Sequence, residues 1–417
     1  MSGRGRDRCR PRSRTQQGRS LKGERLTLEV GEVAHGGHCV ARHEGRVVFV
    51  RHALPGEQVV ALVTDGSEGS RFLRADAIEV LTASPHRVQP PCPYAGPGRC
   101  GGCDWQHATP AYGRALKTHV VQEQLRRLAG LDWDGEVEAL PSETDDGLRW
   151  RTRLELTTGA RGRLGLRKHR SHDVVTIEDC LIAVPQVTAT GVLAESMASG
   201  VTGADVAVAS DGSVTVVELP DTEPAPITEV VRERAFTVDA RGFWQVHPSA
   251  APTFVDVVLA GLDPQPGERA LDLYCGVGLF AAFLADAVGE RGRVIGVEGD
   301  ATAVEHARAN LAGLPQAEVF GGDVAAVLAE ESFSADLVVL DPPRAGAGRE
   351  VIAAIAAAAP RAIAYVACDP AALARDLAYA AEHGYWVRSL RAFDAFPMTQ
   401  HIECIAILQP GPAGPHD

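Results

Sequence analysis

The stretch Ala270-Leu271-Asp272-Leu273-Tyr274-Cys275-Gly276-Val277-Gly278-Leu279-Phe280 reads as a short apolar strand that breaks at a glycine-bearing turn and restarts as a helix. Glycines at such a junction let the backbone approach a ligand closely. The spacing Gly276-x-Gly278-x-x-Ala281 suits a dinucleotide as well as other cofactors. The next strand, Arg293-Val294-Ile295-Gly296-Val297-Glu298, ends in a carboxylate placed to accept hydrogen bonds from a ribose, and this too leaves both cofactor classes open. From about Phe243 onward strand and helix patterns alternate. That is the signature of an α/β fold, a parallel sheet with helices on both faces.

Two further strand ends discriminate. Gly321-Gly322-Asp323 follows a third strand-like segment, as expected of a loop beside an adenine. Ala335 to Leu340 forms a fourth, ending in Asp341-Pro342-Pro343-Arg344, whose prolines fix the turn and leave a carboxylate able to pair with the polar edge of a planar base. This favours an S-adenosylmethionine-dependent enzyme acting on a base over a dehydrogenase. Ile363-Ala364-Tyr365-Val366-Ala367-Cys368-Asp369-Pro370 places a thiol at the carboxyl end of the following strand, where open α/β sheets bind ligands. Glu403 lies just before the last strand. A packing cysteine and a salt-bridged glutamate are the competing readings of Cys368 and Glu403.

The chain has 417 residues, 45% of them apolar, and a net charge of -13, which argues against a protein that coats nucleic acid indiscriminately. No apolar run is long enough to span a bilayer and the arginine-rich start lacks an apolar signal core, so we expect a soluble cytoplasmic protein, monomeric by default, with no membrane partner. Residues 1-22 read as a basic disordered tail. Short β-type runs with glycine turns over residues 23-82 suggest a small barrel, which serves to bind RNA or only as a spacer.

Residues 83-240 read as a central, mostly β domain, and 241-417 as the catalytic domain. The central segment carries Cys92, Cys100 and Cys103 among Gly and Pro residues, with Cys180 the best fourth ligand. Nine cysteines in a long chain without a secretory signal point to metal or catalytic uses; four thiolates suit zinc or an iron–sulfur cluster. An amphipathic helix is predicted over Tyr112 to Leu128, with Leu116, Val120, Val121, Leu125 and Leu128 facing the core, and the helical stretch near 105-137 is expected to pack on the catalytic domain. The arginines between Arg149 and Arg170 read as an exposed basic hairpin, either an RNA contact or a solvated face.

Taken together, Phe243-Trp244-Gln245-Val246, Asp272 to Gly278, Asp341 to Gly346, Tyr365 to Pro370 and Phe396-Pro397 through His401-Ile402-Glu403 resemble the RNA (uracil-5-)-methyltransferase family, which modifies ribosomal and transfer RNA. The barrel turns Gly36-Gly37 and Leu54-Pro55-Gly56-Glu57 resemble those of its TRAM domain, an OB-like barrel. The resemblance implies a class I, Rossmann-like methyltransferase domain behind that barrel. It implies S-adenosylmethionine at Gln245, Tyr274, Glu298 and Asp341, alongside Gly276, Gly278 and Asp323 of the glycine turn and the adenine-side loop, with Cys368 as nucleophile and Glu403 as base. Its ribosomal members carry a [4Fe–4S] cluster, matched here by Cys92, Cys100, Cys103 and Cys180, so 23S rRNA with a single-stranded or flipped-out uridine is the expected substrate and transfer RNA the alternative. Asp369 stands where the family typically has Asn. Rival readings are a catalytically silent RNA-binding protein and a cytosine-5 methyltransferase, whose Pro-Cys or Thr-Cys-Ser nucleophile settings differ from Ala367-Cys368-Asp369.

Overall fold

The computed structural model describes residues 18–411 apart from 143, 221, 222, 224 and 332. Most of the expected basic tail, residues 1–17, lies outside that range. The chain forms two compact units, one of residues up to 34 and 38–85, the other of residues 35–37 and 86 onward. Among the described residues no helix is long and apolar enough to cross a membrane.

In the first unit, β1 (Arg25–Val33), β2 (Cys39–His43), β3 (Arg46–Arg51), β4 (Gln58–Asp65) and β5 (Phe72–Thr82) close into a barrel in the order β1-β2-β3-β5-β4. Buried and exposed residues alternate along β1, with Leu26, Leu28 and Val30 inside. That two-residue period lets one small apolar interior be filled from every strand.

The second unit begins with α1 (Pro110–Gln124), started by the Thr109 hydroxyl accepting from the Tyr112 N–H and by Pro110 at the first turn. Leu116, Val120, Val121 and Leu125 are buried as the periodicity predicts, but Leu128 is 39% exposed. The reason is local: Leu125–Ala129 is a π-helical turn, whose wider winding rotates Leu128 off the buried stripe. After β6 (Val137–Ala139) come β7 (Arg153–Thr158), β8 (Leu164–Arg167) and β9 (Val174–Thr176), then the short α2 (Pro185–Ala189), β10 (Gly203–Val208) and β11 (Val214–Leu219). These strands form a sheet of order β11-β10-β7-β8-β9, followed by the hairpin β12 (Pro226–Val231) and β13 (Arg234–Asp239).

The reading of the Arg149–Arg170 stretch as an exposed basic face holds for Arg161, Arg167 and Arg170, which are exposed, but not for three other arginines of the stretch. Arg149 pairs with Asp179 (2.6 Å), Arg163 donates to the Leu193 carbonyl (2.7 Å), and Arg153 is buried against Glu229 (3.2 Å). These guanidiniums hold the central domain together and are not spread before solvent.

The remaining chain alternates helix and strand: α3 (Ala250–Leu262), β14 (Arg269–Leu273), α4 (Leu279–Val288), β15 (Arg293–Glu298), α5 (Ala301–Leu311), β16 (Ala317–Gly321), α6 (Val324–Glu330), β17 (Leu337–Leu340), α7 (Gly348–Ala357), β18 (Ala362–Ala367), α8 (Pro370–Glu382), β19 (Tyr385–Asp394) and β20 (Glu403–Pro410). Its sheet has the order β16-β15-β14-β17-β18-β20-β19-β6. Strands β14 to β18 are parallel, while β20 is antiparallel to both neighbours. Every residue of β17 and β18 is buried, as in central strands covered on both faces. Strand order reverses between β14 and β17, which opens a crevice at their carboxyl ends.

Arg153 tests the internal role of the basic stretch, since its guanidinium meets Glu229 and the carbonyls of Asp239, Ala240 and Gly242. Arg153→Met strands a buried carboxylate and should lower the unfolding free energy of the second unit by about 3–5 kcal/mol in urea titrations. A loss below about 1 kcal/mol, the value of an exposed pair, would refute this.

Candidate active site

Sheet register brings three acidic side chains together. Leu340 of β17 lies opposite Tyr365 of β18, so Asp341 and Cys368 emerge from adjacent strand ends. Cys404 of β20 lies opposite Ala367, which sets Glu403, the first residue of β20, beside Cys368. Glu403 is 3% exposed, and its Oε2 has no hydrogen-bond partner among the described residues.

The electrostatics follow from this crowding. Burial, then repulsion from Glu403 and Asp341, pushes the Cys368 thiol up to about 12, with the Arg344 guanidinium opposing. Burial alone raises Asp341 to about 7. Glu403 is held well above the usual carboxylate range by burial and by Asp341, again against Arg344. The resting site is therefore a neutral thiol between two carboxyls that resist ionisation. His401, two residues before Glu403, is lowered to about 4 by burial and by Arg344, Lys117 and Arg151, so its ring is neutral at physiological pH. Asp369 caps α8 by accepting from the Ala371 and Ala372 N–H groups (3.0 and 2.8 Å) and pairs with His35 Nε2 at 2.9 Å.

The residues read as cofactor-binding follow β14 (Tyr274, Gly276, Gly278), end β15 (Glu298), follow β16 (Asp323) and follow β17 (Asp341), all at the carboxyl edge of the sheet. Tyr274, Gly276 and Gly278 all have positive φ (61°, 53° and 88°), a conformation that only glycine adopts without strain, so the non-glycine Tyr274 holds strain at the turn after β14. A Cβ at Gly276 would meet nothing within 4 Å, which leaves open space for a ligand over this turn. Glu298 Oε2 accepts from the Gly276 N–H (2.8 Å), and the Gly322 N–H donates to the Glu298 carbonyl (2.8 Å), tying three loops together. Asp323 caps α6 and acts electrostatically on Tyr274, whose hydroxyl is raised to about 12 chiefly by burial. Gln245 comes from a different segment, after β13, where it is buried and followed by Val246, whose carbonyl accepts from Thr152 N–H and Oγ1 (2.9 and 3.0 Å).

The four cysteines of the central domain share one neighbourhood. Cys100, Cys103 and Cys180 are each raised mainly by burial and further by their companions, with Cys92 among those companions in every case. N–H groups already point at sulfur: Gly102 N–H to Cys100 (3.4 Å) and Gln106 Nε2 to Cys103 (3.3 Å). Gln106 Oε1 also accepts from the Cys92 N–H (3.1 Å). As arranged, no group of three or more His, Cys, Asp or Glu side chains among the described residues stands at single-ion spacing.

A TRAM domain model matches residues 19–78, a tRNA (uracil-5-)-methyltransferase model residues 325–410 and a methyltransferase small domain model residues 255–367. The chain is 51% identical to an uncharacterized RNA methyltransferase of Streptomyces avermitilis over 94% of its own length and all of that protein. It is 33% identical to the 23S rRNA (uracil(1939)-C(5))-methyltransferase RlmD of a Shewanella species, covering 92% of this chain and 95% of that one. The chain belongs to the RNA (uracil-5-)-methyltransferase family. The crystal structure of the Pyrococcus abyssi tRNA (uracil-54, C5)-methyltransferase shares the fold, with a TM-score of 0.68, 22% identity and coverage of 92% of this chain and all of that one.

For this RNA methyltransferase, the sequence reading passed over Asp272. It is fully buried, its Oδ2 accepts from the Ala281 N–H (2.7 Å), and its Oδ1 has no partner among the described residues. The signal was present: a carboxylate inside an otherwise apolar strand needs a reason. Asp376, which accepts from Tyr365 Oη (2.8 Å) and from the Ala347 and Gly348 N–H groups (2.8 and 3.1 Å), fixes the loop after Arg344 with no comparable signal.

Asp341 makes stability pH-dependent with a definite sign. Its folded-state pKa is raised, so its contribution is fully present below the ordinary carboxylate range and lost as pH rises through about 7. Asn cannot ionise. Asp341→Asn should therefore unfold at a higher temperature than wild type near pH 8 and show no such gain near pH 4. A gain of equal size at both pH values would exclude buried ionisation as the cause.

Proposed function

We propose that this enzyme methylates C5 of a uridine in RNA, with S-adenosylmethionine as methyl donor, through a covalent bond between Cys368 and C6 of the base. The observation that carries this reading is the convergence of Cys368, Glu403 and Asp341 on adjacent strand ends beside the open crevice over Gly276. The crevice suits the donor: Tyr274, Gly276 and Gly278 supply a turn with room above Gly276, and Asp323 stands on the loop after β16. Glu298 supplies an acceptor, and Gln245 is assigned to the same ligand by family likeness. Bound there, the donor supplies an electrophilic methyl group.

C5 of uracil is too weakly nucleophilic to take a methyl group unaided. Cys368 passes its thiol proton to solvent and adds to C6; the C5–C6 π electrons move to C5 and O4, and C5 becomes an enolate-like carbon. After methyl transfer C5 carries both methyl and hydrogen. Glu403 removes that proton, the C5–C6 double bond re-forms, and the C6–S bond breaks to release Cys368. Asp341 is placed to orient the base, and burial keeps Glu403 basic enough to take a carbon-bound proton.

A base stacked in a helix cannot enter such a crevice, so the uridine is single-stranded or flipped out. We assign the substrate as 23S rRNA, because the Shewanella relative named for that activity matches over nearly its whole length. Transfer RNA is the second reading, favoured by the family model over residues 325–410. We assign a [4Fe–4S] cluster to Cys92, Cys100, Cys103 and Cys180, since the donor set is all thiol and N–H groups already face its sulfurs. The cluster would hold the loop, and methyl transfer calls for no electron from it.

Mapping 5-methyluridine in ribosomal and transfer RNA from cells with and without the gene should show loss at one 23S position only. Loss confined to transfer RNA would reverse the assignment. Cys368→Ala should abolish methylation while binding the methyl donor normally. Glu403→Gln should slow product release by about 10²–10⁴-fold and leave a covalent RNA–protein adduct on denaturing gels. Protein purified without oxygen should contain about four irons per chain, and Cys103→Ser should lose them; zinc in their place would overturn the cluster assignment.

A further inference from the structure

Residues 395–402, between β19 and β20, deliver Glu403 to the site, and a buried cation holds this segment. Lys117, on α1, is 1% exposed. Its ammonium has three protons and meets three acceptors: Asp394 Oδ1 at 2.6 Å, the Phe396 carbonyl at 3.0 Å and the His401 carbonyl at 2.6 Å. The acceptors bracket the segment, one at its entrance, one in its first turn and one two residues before Glu403. The opposite side is tied as well. The N–H groups of Asp104 and Trp105 both donate to the Met398 carbonyl (2.9 and 3.0 Å), and Asp104 Oδ2 accepts from the Gln400 N–H (3.1 Å).

Burying an ammonium costs several kcal/mol, and apolar residues of similar volume would fill the space more cheaply. What lysine adds is direction. Three bonds from one nitrogen fix the path of a segment that has no regular secondary structure of its own, and at the end of that path Glu403 Oε2 has no hydrogen-bond partner among the described residues. With every proton engaged, Lys117 has none to exchange with substrate.

We propose that Lys117 is a positioning residue for Glu403: by fixing residues 394–401 it sets the carboxyl where the C5 proton is removed, so it governs the elimination step and not the addition of Cys368. The inference rests on the role given above to Glu403.

The two steps have separate readouts, so the test compares wild type, Lys117→Met and Glu403→Gln on an RNA carrying C5-tritiated uridine. Misplacing a base by about 1 Å costs on the order of 10²-fold. Lys117→Met should therefore slow tritium release by about that factor and accumulate the covalent adduct seen with Glu403→Gln, while binding the methyl donor as wild type does. Asp104→Ala loosens the same segment from the other side without stranding a buried charge and should show the same split; it carries the test alone if Lys117→Met does not fold. Adduct formation and tritium release falling together, or no adduct in either variant while Glu403→Gln traps one, overturns the assignment. No adduct in Glu403→Gln overturns the role of Glu403 itself, and Lys117 loses its proposed part with it.

Discussion

Three acidic groups share a space in which none ionises freely. The Cys368 thiol and the carboxyls of Asp341 and Glu403 are each raised by burial, and the two carboxylates push the thiol up further. The exposed Arg344 is the cation that opposes this for both Cys368 and Glu403. Concentrating acids in an apolar crevice is unfavourable to stability above their ordinary pKa values, so the surrounding structure has to impose it. It does so with strands: Asp341, Cys368 and Glu403 sit on the ends of three neighbouring strands, and sheet register sets their spacing.

Rigid strands alone do not place the third group. Asp341 and Cys368 leave parallel strands whose every residue is buried, whereas Glu403 is reached through an irregular segment. That segment is fixed by Lys117 and by Asp104 and Trp105, residues close in sequence to Cys103. Order in the cysteine-bearing loop and order at Glu403 are thus linked: Cys103 and Cys180 share one apolar cluster with Phe396 and Met398 of that segment.

The methyltransferase core was legible because its signals are local. Uninterrupted apolar runs marked β17 and β18, glycines marked the turn after β14, and carboxylates ending strands stood out against their neighbours. The barrel was legible from alternation and turn residues. Less was visible where charge serves the interior. Arg153 and Lys117 look like solvated cations in sequence, since long charged side chains are seldom fully buried and their partners are distant, 76 and 277 residues away respectively. Leu128 misled for a different reason: a π-helical turn changes the period on which the amphipathic argument depends.

The resistance of these acids to ionisation also bears on the order of steps. In the proposed reaction Glu403 is needed as a base only after methyl transfer. A bound sulfonium donor would bring a positive charge to the crevice, and such a charge near a buried carboxyl would favour its ionised form; a neutral thioether would not. The carboxylate is then left in a crevice where burial and Asp341 both favour the protonated form, and its affinity for a proton rises at the step that presents one. A solvated glutamate would gain little from the same change, because water screens the lost charge. In the proposed reaction the 3% exposure of Glu403 would let the loss of one nearby charge raise the affinity of its carboxylate for a proton.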